Sequence, residues 1–258
     1  MGIEKFHTWL KNTYYTSIMD YDNGSYEHIY VDLNFLLHRL VSYVSSENEL
    51  LERMKKSLST IVTNNRPLKS LTLAADGSAT YAKIMLQKKR RTQTAQSLMA
   101  KQTNDDSSAK LSSLLLTPGT EFMNKFNTMI KNYAHNLKEI LSSNVNINLD
   151  LSDNPDESEF KICRYLRKNS TNICDTHLII SNDADIILIA MAQMNTYNVY
   201  ILIQLTQGNT YVISIDALNE QHMETYGYNL YKRLDFVVAG RSAAKANGIS
   251  GIAFQIRP

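Results

Sequence analysis

Two cysteines and four prolines in 258 residues are too few to staple or repeatedly break the chain. Cys163 and Cys174 fit no zinc-ligand spacing and read as a reduced thiol pair, not as a disulfide framework. A strong charge of one sign is missing as well. The 27 Lys and Arg against 25 Asp and Glu leave a formal charge of +2, so any nucleic-acid interest has to come from a local patch. No apolar run approaches the ~20 residues that cross a bilayer. The opening MGIEKFHTWL lacks the basic start and apolar stretch of a secretory signal. Phe6 stands where the myristoylation pattern wants Ser or Thr. These absences lead to the expectation of a soluble intracellular protein, cytoplasmic or nuclear. With 43% hydrophobic and 20% charged residues the composition is that of a globular chain with one sizeable core.

Short apolar, β-rich runs recur along the chain: HIYVDL (28–33), SLTLAA (70–75), THLIIS (176–181), NVYILI (198–203) and TYVISI (210–215). Between most of them lie helix-like segments such as ELLERMKKSLSTIV (49–62) and EFMNKFNTMIKNYAHNLKEIL (121–141). Continuous apolar strands alternating with helices predict an α/β fold, a mostly parallel sheet with helices on both faces. The last two strands read instead as a hairpin turning at Gly208, which makes one edge antiparallel. The polar stretch 101–113 reads as a loop.

On that sheet the acids fall in one place. Asp32 ends the first strand, Asp76 follows LTLAA, and Asp183 and Asp185 follow LIIS. Parallel sheets gather their sites outside the carboxyl ends of the strands, so three strands aim carboxylates at one edge. Clustered carboxylate oxygens suit a hard divalent ion, Mg²⁺ or Mn²⁺. Taken singly, each acid has a plainer reading: Asp183 or Asp185 as a helix cap, Asp76 with Gly77 as a turn, Asp32 as a paired core carboxylate. Glu157 and Glu159 follow Asn154 and Pro155, which alone would make an ordinary helix start. Joint metal service by the two glutamates requires the helix to begin near Ser158, because on a regular helix they point apart.

The basic group lies in DGSATYAKIMLQKKRRTQTAQ (76–96). On a helix starting near Ala79, Lys83, Gln87, Arg90 and Arg91 share one side, within about 100° of one another. Guanidinium forks grip phosphate bidentately and a lysine adds a point charge. The same run serves equally as a solvated charge tract. An anionic metal site beside a cationic grip is the outline of a phosphodiesterase, with two ions activating a water and steadying the leaving 3′ oxygen.

These residues resemble the XRN 5′→3′ exoribonuclease family. MGIEKFHTWL is similar to its Met-Gly start and short aromatic helix, IYVDLNFLLH to its Asp-x-Asn-x-x-x-His segment, and AADGSATYAKIMLQKKRR to its Asp-Gly block with Lys, Gln and paired Arg. LTPGTEFM (116–123) matches nearly verbatim. DESEFKICRYLR stands where the family has Gly-Glu-Gly-Glu-His-Lys, and SNDADIILIAMA where it has Asp-Ala-Asp-Leu-Ile. The resemblance runs along residues 1 to about 240 and implies a PIN-like fold. It further implies two metal ions held by Asp32, Asp76, Glu157, Glu159, Asp183 and Asp185, with a 5′-monophosphate held by Lys83, Gln87, Arg90 and Arg91. His38 would stack on the terminal base of single-stranded RNA, a role suited to an imidazole face.

Three departures stand beside this resemblance. Asp156 and Ser158 replace the glycines flanking the paired glutamates, and Phe160 replaces the following His. Arg241 and Ser242 stand where the family has Asn and a further ligating Asp, and Asp235 comes too early to substitute. Residues 241–258 read as a divergent or non-native tail after a nuclease domain over 1–240. The leading expectation is a metal-dependent 5′→3′ exoribonuclease acting on single-stranded RNA with a 5′-monophosphate and releasing 5′-mononucleotides. The alternatives are a catalytically impaired RNA-binding remnant of the family and a DNA-directed 5′ flap-type nuclease.

Overall fold

The computed structural model describes residues 5–79, 81–102, 111–141, 144–193, 196–204 and 210–226, with the side chains of 81–83, 86, 97–102 and 226 left outside that description. Its frame is one seven-stranded sheet in the order β1-β7-β6-β5-β2-β3-β4. The strands are β1 (Ile18–Asp20), β2 (Gly24–Asp32), β3 (Asn65–Ala74), β4 (Asn146–Asp150), β5 (His177–Ile180), β6 (Val199–Gln204) and β7 (Thr210–Ser214). β6, β5, β2, β3 and β4 run parallel. β7 turns back antiparallel against β6, and β1 pairs antiparallel with β7. The antiparallel edge expected from the sequence is present; its turn at Gly208 lies outside the described residues, as does most of the 101–113 loop.

Both faces of the sheet are covered, and the two-residue strand period assigns each side chain to a face. Ile29, Val31, Leu71, Leu73, Leu178 and Ile180 pack under α2 (Leu33–Val41), α3 (Glu47–Asn64) and α5 (Glu121–Ile140). The alternate residues Tyr30, Ile179, Val199, Ile201 and Ile213 pack under α1 (Phe6–Thr13), α6 (Ser158–Asn169), α7 (Ala184–Met191) and α8 (Ile215–Tyr226). Near-total burial of the strand side chains explains their continuous apolar sequence, each contributing about 1.5–3 kcal/mol. α4 (Tyr81–Gln102) is the helix expected from near Ala79. No helix among the described residues is long and apolar enough to cross a membrane.

Two strands were not legible in the sequence. β1 has three residues, and β4 (NINLD) is an edge strand whose asparagines dilute the apolar pattern. The helix start at Asn154 and Pro155 does not form either. Instead 151–157 is a turn segment, Asp156 takes φ 79°, and α6 begins at Ser158 with Glu157 in the extended cap position. The left-handed backbone at Asp156 gives a physical reason for the glycine that the family resemblance puts there, since a Cβ is strained in that region.

What holds this turn is a buried lysine. Lys161 on α6 is fully buried, and its Nζ donates to the carbonyls of Ala75 (2.8 Å), Leu151 (2.8 Å) and Asn154 (3.1 Å). Asp150 Oδ1 lies 3.4 Å away and supplies the countercharge. A second clasp is backbone alone: Gly77 N–H donates to Asp156 O and Asp156 N–H donates to Ser78 O. A Cβ on Gly77 would fall 1.7 Å from the Asn154 oxygen, so no other residue fits there. The Lys161→Met variant takes the ammonium from the Ala75, Leu151 and Asn154 carbonyls and the countercharge from Asp150, and is expected to lose about 3–5 kcal/mol of stability. A urea melt measures it; a loss below about 1 kcal/mol contradicts this role for the ammonium.

Candidate active site

At the carboxyl edge of the sheet, three adjacent central strands deliver their acids. Asp32 is the last residue of β2, Asp76 lies two residues past β3, and Asp183 lies three past β5. Each then serves the N-terminus of a helix. Asp32 Oδ1 accepts from the N–H groups of Asn34 and Phe35 on α2. Asp183 Oδ1 accepts from Asp185 N–H on α7, and Asp76 Oδ1 from Ser158 N–H on α6 at 2.8 Å. The capping role weighed for Asp183 is therefore real. Three helix N-termini, each carrying partial positive charge, point at one place and offset part of the repulsion gathered there.

Neighbouring polar groups fix the acids further. Ser181 Oγ donates to Asp32 Oδ2 at 2.8 Å, and Asn34 Oδ1 accepts from Asp76 N–H at 2.9 Å. His7 on α1 donates from Nε2 to the Asn182 carbonyl at 2.9 Å, while Tyr211 donates to its Nδ1. Asn34, Ser181, His7 and Lys161 lie within the segments that carry the family resemblance, Asn34 and Lys161 at its Asn and Lys, but were given no role there. Helical spacing does not mark Lys161 as buried either, since it lies about 100° from Ile162 and about 140° from Leu166 round α6, yet all three are buried.

Asp32, Asp76, Glu159 and Asp183 line a single cleft of about 640 Å³ together with His38, Gln87 and Arg90. Against it lies a second hollow of about 310 Å³, lined by Asn34, His38, Asp76, Gln87, Arg90 and Arg91. The expected grip and the expected acids thus share walls. His38 is exposed, and Arg91 Nη2 donates to Gln87 Oε1 at 3.2 Å. The side chain of Lys83 lies outside the described residues. Thr117 and Pro118 also line the smaller hollow. Gly119 takes φ 88° and Thr120 Oγ1 caps α5 by accepting from Met123 N–H, so the TPGTEF string builds a wall and a helix start.

Glu157 and Asp185 are not in that cleft. They line a third hollow of about 430 Å³ with Phe160 and Leu188, to which Glu159 also contributes. The six expected carboxylates therefore divide into four in the cleft and two beside it, joined at Glu159.

Burial and then the charge of Asp76 push the Asp32 carboxyl up to about 6, against hydrogen bonds from Ser181 and Phe35 that pull it down. Glu159 is driven up further, by burial first and then by Asp32 and Asp76. Such a cluster ionises fully only beside a cation, and hard oxygen donors on separate elements fit Mg²⁺ or Mn²⁺ in kind. In spacing, no three His, Cys, Asp or Glu side chains among the described residues stand close enough to hold a metal ion as placed. Coordination therefore requires the carboxylates to draw in.

The chain matches the family described as XRN 5'-3' exonuclease N-terminus over residues 1–204, and it belongs to that family. It is 27% identical over 215 residues to 5'-3' exoribonuclease 1 of Schizosaccharomyces pombe, covering 74% of this chain and 16% of that protein. With 5'-3' exoribonuclease 2 homolog of Caenorhabditis elegans it shares 24% over 243 residues, covering 74% and 25%. With 5'-3' exoribonuclease 1 of Homo sapiens it shares 25% over 215 residues, covering 74% and 12%. The chain spans a quarter or less of the length of these relatives. The catalytic core of Rad2 in complex with DNA substrate superposes with TM-score 0.44 at 12% identity, covering 85% of this chain and 55% of that one, a likeness too slight to argue from.

An acid with a raised folded pKa keeps its proton in the folded chain where the unfolded chain has released it. The stability it contributes is whole below the ordinary carboxylate range and is lost as pH climbs through the raised value. For Asp32 that window closes at about 6, and for Glu159 it extends higher. In EDTA at pH 8, Glu159→Gln is expected to raise Tm, by about 2–4 °C for each kcal/mol of repulsion relieved. The gain shrinks towards zero at pH 5. Thermal melts at both values test this, and a variant less stable than the parent at pH 8 rejects the crowding of charge at Glu159.

Proposed function

We propose that this chain is the N-terminal catalytic region of a 5′→3′ exoribonuclease that hydrolyses single-stranded RNA bearing a 5′-monophosphate and releases 5′-mononucleotides. The observation that carries the reading is the shared wall: Asn34, His38, Asp76, Gln87 and Arg90 line both the acidic cleft and the cationic hollow. In this reading the nuclease domain covers residues 1–240 and 241–258 are a divergent or non-native tail.

Gln87, Arg90 and Arg91, with Lys83, hold the terminal phosphate, and the guanidinium forks fix its orientation. A grip that closes on a single terminal phosphate would exclude capped and triphosphorylated ends. The exposed ring of His38 stacks on the terminal base and sets the register of cutting at one nucleotide. Asp32, Asp76, Glu159 and Asp183 would hold the divalent ions, with Glu157 and Asp185 drawn in from the adjoining hollow. When bound, such ions supply an activated water and charge stabilisation at the leaving 3′ oxygen. Ser181 and the helix N-termini hold the carboxylates in orientation, Asn34 fixes the Asp76 backbone, and Lys161 keeps Asp76 within reach of α6.

A second reading, a remnant that grips RNA without turnover, is favoured by Arg241 and Ser242 at the positions of the family's Asn and Asp. A third, action on DNA, has no separate observation behind it and is settled by the same substrates made as DNA. Fluorescent RNA with either a 5′-monophosphate or a 5′-hydroxyl is incubated with Mg²⁺ or with EDTA. The expected outcome is degradation of the phosphorylated RNA in Mg²⁺, at least about tenfold faster than the hydroxyl form, and none in EDTA. Equal degradation of both removes the grip from the account. If neither is degraded, a calorimetric Mn²⁺ titration giving one ion or none supports the remnant.

A further inference from the structure

The larger cleft has two flanks, and the function proposed above uses one. Asn34 and His38 line both the cleft and the cationic hollow, whereas Phe35 and Arg39 line only the cleft. Each follows one residue later on α2 and so sits about 100° further round the helix. Arg39 is half-buried, and its Nη1 donates to Gln204 Oε1 at 2.6 Å at the end of β6. The Gln204 backbone is in turn clasped by the Asn182 amide, at 2.6 and 2.9 Å, in the residue before Asp183. A guanidinium is thereby held in fixed orientation beside an acidic cleft, and its hydrogen bond goes to a neutral amide that leaves the positive charge for another anion. Tyr43, 63% exposed, continues the same flank past the end of α2.

A fixed guanidinium next to exposed aromatic rings is the chemistry that tracks a single strand, phosphate to cation and base to ring. A strand with its 5′ phosphate in the Gln87–Arg90–Arg91 hollow and its first internucleotide phosphate at the carboxylates has two ways onward. The Phe160 hollow has no Lys or Arg among its lining residues, and its Asp156 is paired with Arg164 at 2.9 Å, so it offers a phosphate backbone no cation. The α2 flank presents Arg39. We propose that Arg39 and Tyr43 form the downstream track of the RNA: Arg39 takes the phosphate that follows the scissile one, and Tyr43 stacks on the base after it. This rests on the reading of the cleft as an RNA site. Arg39 is a positioning residue there, with no contact to the reacting atoms.

Binding is read by competition in fluorescence anisotropy, with Ca²⁺ replacing Mg²⁺, for 5′-phosphorylated oligouridylates of two and eight nucleotides. The dinucleotide lacks both the phosphate and the base assigned to the track. Arg39→Gln and Tyr43→Ala are each expected to weaken the octamer about tenfold and to leave the dinucleotide within about twofold. Arg39→Gln also lowers the salt slope of octamer binding by roughly 0.7, one phosphate's worth on a single strand. Among the described residues the Tyr43 side chain makes no hydrogen bond to another element, so its variant stays informative if loss of the Arg39–Gln204 bond loosens the fold. Equal losses on both lengths, or an undiminished octamer in both variants, overturn the track. If the parent binds phosphorylated and hydroxyl octamers alike while the length-dependent losses persist, the track stands and the 5′-phosphate reading falls.

Discussion

Like charges brought together away from water repel by several kcal/mol, and this fold brings Asp32, Asp76 and Glu159 together at the end of its three central strands. Much of the surrounding structure answers that repulsion. Helices α2, α6 and α7 each start at one of the acids, so their N–H groups face the negative charge. Ser181 adds a hydroxyl. The balance is still incomplete, since both Asp32 and Glu159 sit well above the ordinary carboxylate range. In the proposed function a divalent cation from outside completes that balance, and the wall of Gln87, Arg90 and Arg91 receives the terminal phosphate of the RNA.

The geometry depends on a scaffold with no chemistry of its own. Lys161 pulls three carbonyls inward, Gly77 permits the closest approach of two loops, and Asp156 accepts a backbone conformation suited to glycine. Together they delay the start of α6 to Ser158, which lets Glu157 leave the helical array while Glu159 enters it. The consequence is the division at Glu159, with one carboxylate facing the cleft and its neighbour facing the adjoining hollow.

The strands and the edge to which Asp32, Asp76 and Asp183 belong were readable because buried parallel strands are continuous apolar runs that end abruptly. The side of α4 carrying Gln87, Arg90 and Arg91 was readable from helical geometry alone, and these three do share a hollow. The condition that α6 begin near Ser158 was likewise stated from geometry and is met. The turn that enforces it was not readable, because nothing local marks Lys161 as buried until α6 is packed against β3. The separation of Glu157 and Asp185 from the other acids is a matter of tertiary placement in the same way, and Arg39 looked like any helix-surface cation until β6 set Gln204 beside it. The asparagines of β4 hid a strand whose pairing with β3 supplies what its composition lacks.

An anomalous-difference map from a crystal soaked in Mn²⁺ reads the central claim directly. The account predicts density in the cleft ligated by carboxylate oxygens of Asp32, Asp76, Glu159 and Asp183, with those side chains drawn towards it. A cleft without density at saturating Mn²⁺, or ions ligated only elsewhere on the protein, contradicts it.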